Sequence, residues 1–197
     1  MLLGIVEGIG YLQNPSIYVY QLNWSSFLPL LGIAILILPL QTSVEELLMR
    51  GYLMQGISLI FSQPWIPLLV TSLIFGFLHY ANPEVAKYGF WVTMPSYIGI
   101  GLALAIMTLM DDGLELALGV HAANNIFGAL FITFDGSALS TPAIFKVTVI
   151  NPLAGTIFTI VVSIIFIIIV SRVYRWADWS KIYQSNPPHD EQRNELS

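Results

Sequence analysis

The chain has 197 residues, of which 56% are hydrophobic and only 10% charged, with no cysteine and a formal net charge of −5. A soluble domain carries roughly 25% charged residues and must show much of its surface to water, so the deficit of charge points to lipid as the solvent. The missing cysteine excludes disulfides and thiolate chemistry, and no basic patch suggests nucleic-acid binding.

The first fifteen residues, MLLGIVEGIGYLQNP, have neither a basic n-region nor a small-residue cleavage site and do not read as a signal peptide. They are expected to form an interfacial or partly inserted helix, with room for further helices upstream in homologues. Hydrophobic segments long enough to span a bilayer, about 20 residues each, follow from 24. Segment 24–41 is the first, with Pro29 and Pro39 as kinks. Segment 43–62 is the second, and Ser43 followed by Glu46 three residues on has the pattern of a capping box at its start. Segment 65–80 ends before the Asn82-Pro83 turn signal. Segment 91–110 carries Gly99, Gly101, Ala103 and Ala105, a small-residue face for close helix packing. Asp111-Asp112-Gly113 makes a tight turn into segment 114–133. A polar loop from Asp135 to Thr141 then leads to the last span, about 149–174, which holds the most lipid-like stretch of the chain.

The expected fold is all-α, a polytopic transmembrane bundle of about six spans with an additional N-terminal interfacial helix, occupying residues 1–183. The tail 184–197 is polar, contains prolines and is expected to be disordered. Arg172, Arg175 and Lys181 follow the last span, which by the positive-inside rule puts the C-terminal tail in the cytoplasm, with the cell membrane as the expected location.

Ionisable residues at membrane depth are costly and usually face the protein interior or a wet cavity. Glu45 and Glu46 are adjacent, so on a helix they point about 100° apart. Arg50 lies four residues after Glu46, on its face and in the favourable acid-before-base order. Glu46 and Arg50 are therefore read as an ion pair, which leaves Glu45 as the unpaired carboxylate, suited to general acid–base work. A bland alternative places all three at a helix start, where carboxylates favour the N-terminus. His79 shares a face with Phe75 and ends its span at a depth comparable to the glutamates if the two helices are antiparallel neighbours. His121 and Asn125 are four apart in VHAANNIF and must find partners on other helices or in water; an interhelical bond that only holds the bundle together is the plain alternative for Asn125 and Asn124.

Glu45-Glu46-x-x-x-Arg50, Phe75-x-x-x-His79 and His121-x-x-x-Asn125, in this order on successive hydrophobic segments over about 40–130, resemble the CPBP family. That family comprises CAAX prenyl endopeptidases and bacteriocin-processing or immunity proteins. The resemblance implies an intramembrane endopeptidase acting on membrane-associated protein or peptide substrates within the bilayer. It further implies that Glu45 and His79 activate a water, that His121 and Asn125 stabilise the oxyanion, and that Glu46 and Arg50 support them. No cofactor is needed on this reading. The alternative chemistry is a divalent metal such as zinc held by Glu45, His79 and His121, since zinc favours histidine and carboxylate ligands; no His-Glu-x-x-His pair supports it.

Two non-peptidase readings stand beside this one. The same polar core could be structural, in an immunity or scaffold protein. A proton relay or small transporter ranks last, because no internal repeat is visible. Nucleotide binding has no Gly-rich loop to support it, and Ser43, Ser58 and Ser72 lack a nucleophile signature.

Overall fold

The computed structural model describes residues 2–185. It begins with α1 (Leu2–Gln13) and a single 3-10 turn that leads into β1 (Tyr18–Tyr20). The Tyr18 hydroxyl donates to Glu7 Oε2 at 3.0 Å, which ties α1 to β1. Burial, with the Glu7 charge second, pushes this hydroxyl up to about 12, so it keeps its proton and remains a donor.

Asn23 then caps α2 (Trp24–Leu36) through its side chain, which accepts from Ser25 N. The chain runs on through α3 (Leu38–Glu46), a π-helical segment Leu47–Leu53 and α4 (Met54–Ser58). Together they form one continuous helical stretch of 35 residues. The two separate spans expected at 24–41 and 43–62 are therefore one, and the six expected segments fold as five helical bodies. Ser43 does not cap a helix: its Oγ donates to Pro39 O at 2.6 Å. Thr42 likewise donates to Leu38 O at 3.0 Å. Both hydroxyls are thereby satisfied within a helix that they do not interrupt, although such back-bonding tends to bend a helix. The π segment, closed where Met54 N–H bonds to Met49 O, adds an i→i−5 register. Such single turns of π-helix recur at functional sites.

After a short turn come α5 (Trp65–Leu78), α6 (Pro83–Tyr88), α7 (Phe90–Met110), α8 (Glu115–Phe131) and α9 (Pro152–Val173). By length and composition, three helices among the described residues can cross a membrane: Trp24–Ser58, Phe90–Met110 and Pro152–Val173, with Trp65–Leu78 a shorter apolar helix. Large apolar side chains of α2 and α9, such as Leu28, Ile33, Ile164 and Ile168, are exposed on the outside of the bundle. Water would penalise that surface and lipid does not. The architecture is a helical membrane bundle.

The central helix is α7, packed between α5 and α9. A Cβ on Gly101 would lie 3.3 Å from Ser72 Cα and 3.1 Å from Phe75, so glycine sets how closely α7 approaches α5. A Cβ on Gly99 would instead meet Ile160 of α9 at 3.4 Å. Two residues along a helix is about 200° of rotation, so the small-residue run serves two neighbours rather than forming one face. Thr156 of α9 donates to Val92 O of α7 at 2.7 Å, a further interhelical tie. On the other side, α8 packs against α2 and α3.

The sequence reading did not anticipate a small sheet that closes one end of the bundle. Strands β2 (Ile132–Phe134) and β3 (Phe145–Val147) complete it, in the order β1-β3-β2, with β3 antiparallel to β1 and parallel to β2. The expected loop Asp135–Thr141 connects these strands and is held down. Lys146 pairs with Asp135 at 2.7 Å, Lys87 donates to Asp135 O, and Glu84 accepts from Ala138 N at 2.7 Å. At the opposite end, Trp176 Nε1 donates to Asp111 at 3.2 Å and Lys181 pairs with Asp112, which fastens the chain after α9 to the α7–α8 turn. The tail expected to be disordered lies, from residue 186 on, outside the described residues.

Candidate active site

Four of the sequence-selected side chains meet where α3, the π segment and α8 converge on α7. Glu46, from the last turn of α3, is fully buried. Its Oε1 accepts from Arg50 Nη1 at 2.8 Å and contacts His121 Nδ1 at 2.7 Å. Because a carboxylate that also binds a guanidinium is an acceptor, the His121 Nδ1 must carry the proton of that bond. Arg50, itself fully buried, reaches across to α7 and donates from Nη2 to Gly101 O at 2.7 Å. The ion pair expected from the i,i+4 spacing is thus present, but it is not a pair in isolation. One carboxylate oxygen holds both Arg50 and a histidine 75 residues away.

Glu45 is placed differently. Its side chain is 26% exposed. Gln41, one turn earlier, donates to its Oε1. The other oxygen, Oε2, has no hydrogen bond and faces His121 Nε2 across 3.8 Å. That gap is too long for a direct hydrogen bond and is the kind of separation a water can bridge.

His79 terminates α5, partly buried. Its Nδ1 lies 2.8 Å from Phe75 O; a carbonyl only accepts, so Nδ1 carries the proton and Nε2 presents a lone pair. The ring is stacked on Tyr97 of α7, with centroids 4.6 Å apart and planes at 23°, and Asn82 donates to the Tyr97 hydroxyl at 3.0 Å. Phe75 is the hub between the two histidines. Its ring is 4.7 Å from His79 and 5.7 Å from His121, and the Arg50 guanidinium lies 4.8 Å from its centroid. Among the described residues no ion pair links His79 directly to Glu45. Asn125, one turn beyond His121, is half-buried and makes no side-chain hydrogen bond among the described residues.

The expected metal alternative finds no ready ligand set. Among the described residues no three His, Asp or Glu side chains are gathered as a metal site. The sequence reading missed Gln41 and Tyr97. Gln41 lies i−4 from Glu45 and was open to the same spacing rule that found Arg50. Tyr97 sits on another helix, and no local spacing signals it.

Residues 24–127 match the type II CAAX prenyl endopeptidase Rce1-like family. The chain belongs to that family. The matched stretch contains every side chain of the cluster just described. The uncharacterized protein YyaK of Bacillus subtilis (strain 168) is 36% identical over 168 residues, covering 84% of this chain. The chain spans only 56% of that relative's length. No solved structure matches. Membership makes this an integral membrane protein of a protease family, in agreement with the exposed apolar helices.

Proposed function

We propose that the chain is an intramembrane endopeptidase that hydrolyses peptide bonds of membrane-associated substrates. The observation that carries this reading is the Glu45 carboxylate. Gln41 holds one of its oxygens, and the other is unpartnered and faces the outer nitrogen of a histidine that a buried carboxylate holds in place. Buried polar atoms without a partner call for an explanation. In this cluster Glu45 Oε2, Glu46 Oε2 and Arg50 Nε have none, and of the three Glu45 Oε2 is the one on a partly exposed side chain that faces a histidine nitrogen.

On this reading a water lies between Glu45 and the histidines and attacks the carbonyl carbon of the scissile bond. Glu45 takes a proton from the water as the C–O bond forms, assisted by the Nε2 lone pair of His79. The carbonyl oxygen becomes an oxyanion, which accepts hydrogen bonds from His121 and Asn125. In the doubly protonated form of His121 both ring N–H groups then have acceptors, Glu46 for Nδ1 and the oxyanion for Nε2. The C–N bond breaks as the proton held by Glu45 passes to the leaving amine. Glu46 and Arg50 are positioning residues in this scheme. Donors fixed in advance within a dry site can lower such a barrier by several kcal/mol, about 3–4 for one oxyanion donor. The scheme uses no metal.

The test uses the full chain in liposomes with internally quenched apolar peptides. Glu45→Gln should lower turnover at least about a thousandfold, more than one oxyanion donor contributes, while leaving the unfolding midpoint in place, since Gln41 alone bonds to that side chain. Full activity in this variant would refute the assignment. A loss of folded protein rather than of rate would point to the non-catalytic scaffold or immunity role.

A further inference from the structure

A cavity of about 500 Å³ runs between α7, α8 and α9. His121 forms part of its wall and is the one residue it shares with the proposed catalytic set, since Glu45, His79 and Asn125 are not among its lining residues. Resting on the peptidase reading, we propose that this groove holds the substrate as an extended apolar segment, and that Asp111 and Glu115 select a basic side chain a few residues from the bond that is cut.

Chemistry argues for an extended segment. A helix bonds its inner carbonyls to its own N–H groups, whereas an extended chain leaves them free for attack and for the Asn124 amide. Along α8 the groove is bordered from Glu115 to Phe127, twelve residues or about 18 Å at 1.5 Å each. An extended chain advances about 3.3 Å per residue, so roughly five residues cover the same length.

Polarity sets what the segment must carry. The walls are apolar where Leu104, Met107 and Phe166 line them. Thr159 and Ser163 also face the groove, but both hydroxyls donate to their own helix, to Gly155 O and Thr159 O. The Asn124 amide is left to pair with a peptide backbone, and it makes no hydrogen bond among the described residues. His121, 4% exposed, is the wall residue shared with the cluster, where its Nε2 faces Glu45 Oε2 at 3.8 Å. At the end away from the sheet lie Asp111 and Glu115, and the lining includes no lysine or arginine. Lys181 is engaged by Asp112 instead. Asp111 accepts one bond, from Trp176, and Glu115 is in no ion pair among the described residues. Glu115 sits in the first turn of α8, where a carboxylate is favoured; two carboxylates without a basic partner at the end of an apolar groove still favour a cation. Glu115 and His121 are six residues apart, about 9 Å along α8. That distance places the basic side chain two to four residues from the scissile bond.

The test is binding, so that it stands apart from catalysis. The full chain in detergent micelles is titrated against a fluorescein-labelled apolar octapeptide bearing one lysine, and against the same peptide with glutamine there. Anisotropy should show the lysine peptide binding about tenfold more tightly. In the double variant Asp111→Asn, Glu115→Gln the ratio should fall to within about twofold, and Glu115→Lys should reverse the preference towards a glutamate-bearing peptide. Equal affinity of the two peptides for the wild-type chain, or an unchanged ratio in the double variant, would overturn the proposal. So would binding of dodecyltrimethylammonium at the acidic end without any preference among peptides, which would assign the groove to a cationic lipid. Selective binding without cleavage would support this inference while refuting the peptidase reading.

Discussion

The buried Glu46–Arg50–His121 group makes an asymmetric prediction about stability. Glu46→Leu leaves Arg50 charged and fully buried with Gly101 O as its remaining partner, and leaves the His121 Nδ1–H without an acceptor. Removing one member of a buried ion pair costs about 3–5 kcal/mol. Arg50→Met is milder, because Glu46 keeps His121 at 2.7 Å and a histidine can take up a proton. The structure therefore sets its cost at about 1–3 kcal/mol, near that of one unsatisfied buried polar contact. In the double variant the stranded guanidinium is gone and chiefly the His121 N–H remains unsatisfied, again about 1–3 kcal/mol. The double variant should thus fall short of the sum of the singles by at least about 2 kcal/mol, a coupling typical of groups in one network. Unfolding by SDS in mixed micelles, followed by tryptophan fluorescence, measures all three. If Glu46→Leu proves as mild as Arg50→Met, or if the singles add, Glu46 does not hold the network as described.

Three further expectations concern the same architecture. Tyr97→Phe keeps the ring against His79 and should change kcat less than about threefold, whereas Tyr97→Ala frees the imidazole and should lower kcat on the order of a hundredfold with KM little changed, as for a displaced catalytic group. Gly101→Ala forces a methyl against Phe75 and the Ser72 backbone and should cost about 1–3 kcal/mol by overpacking, while Gly99→Ala, which meets only the Ile160 side chain, should cost less; SDS unfolding compares them. At the sheet, the hydrogen bond and charge of Lys146 hold the exposed Asp135 carboxyl below its ordinary range. A depressed carboxyl stabilises the fold above its unfolded pKa of about 3.9, and that contribution disappears as pH falls through the lower folded value. Amide exchange of Phe145–Val147 should therefore accelerate below about pH 4 beyond the intrinsic change, and Asp135→Asn should remove that extra acceleration.

What could be read from the sequence depended on how local the governing physics was. The Glu46–Arg50 pair follows from helical spacing alone, and the apolar content of α7 and α9 required lipid around them. The expected break near Ser43 rested on the fall in hydropathy across Gln41-Thr42-Ser43, yet these residues lie inside the continuous helix Trp24–Ser58, where Gln41 turns to Glu45 and the Thr42 and Ser43 hydroxyls bond within the helix. Three-residue strands are too short to show a two-residue period, so the sheet had no signal.

The sequence by itself determined a membrane bundle, the pairing of Glu46 with Arg50 and the side chains worth following. Those conclusions rest on solvent preference and on spacings of one helical turn. Only the tertiary structure decided that Glu46 serves His121 as well as Arg50, that Tyr97 stacks on His79, and that His121 lines a groove ending in two carboxylates. Each of these joins side chains on different helices, which no spacing of one helical turn can signal.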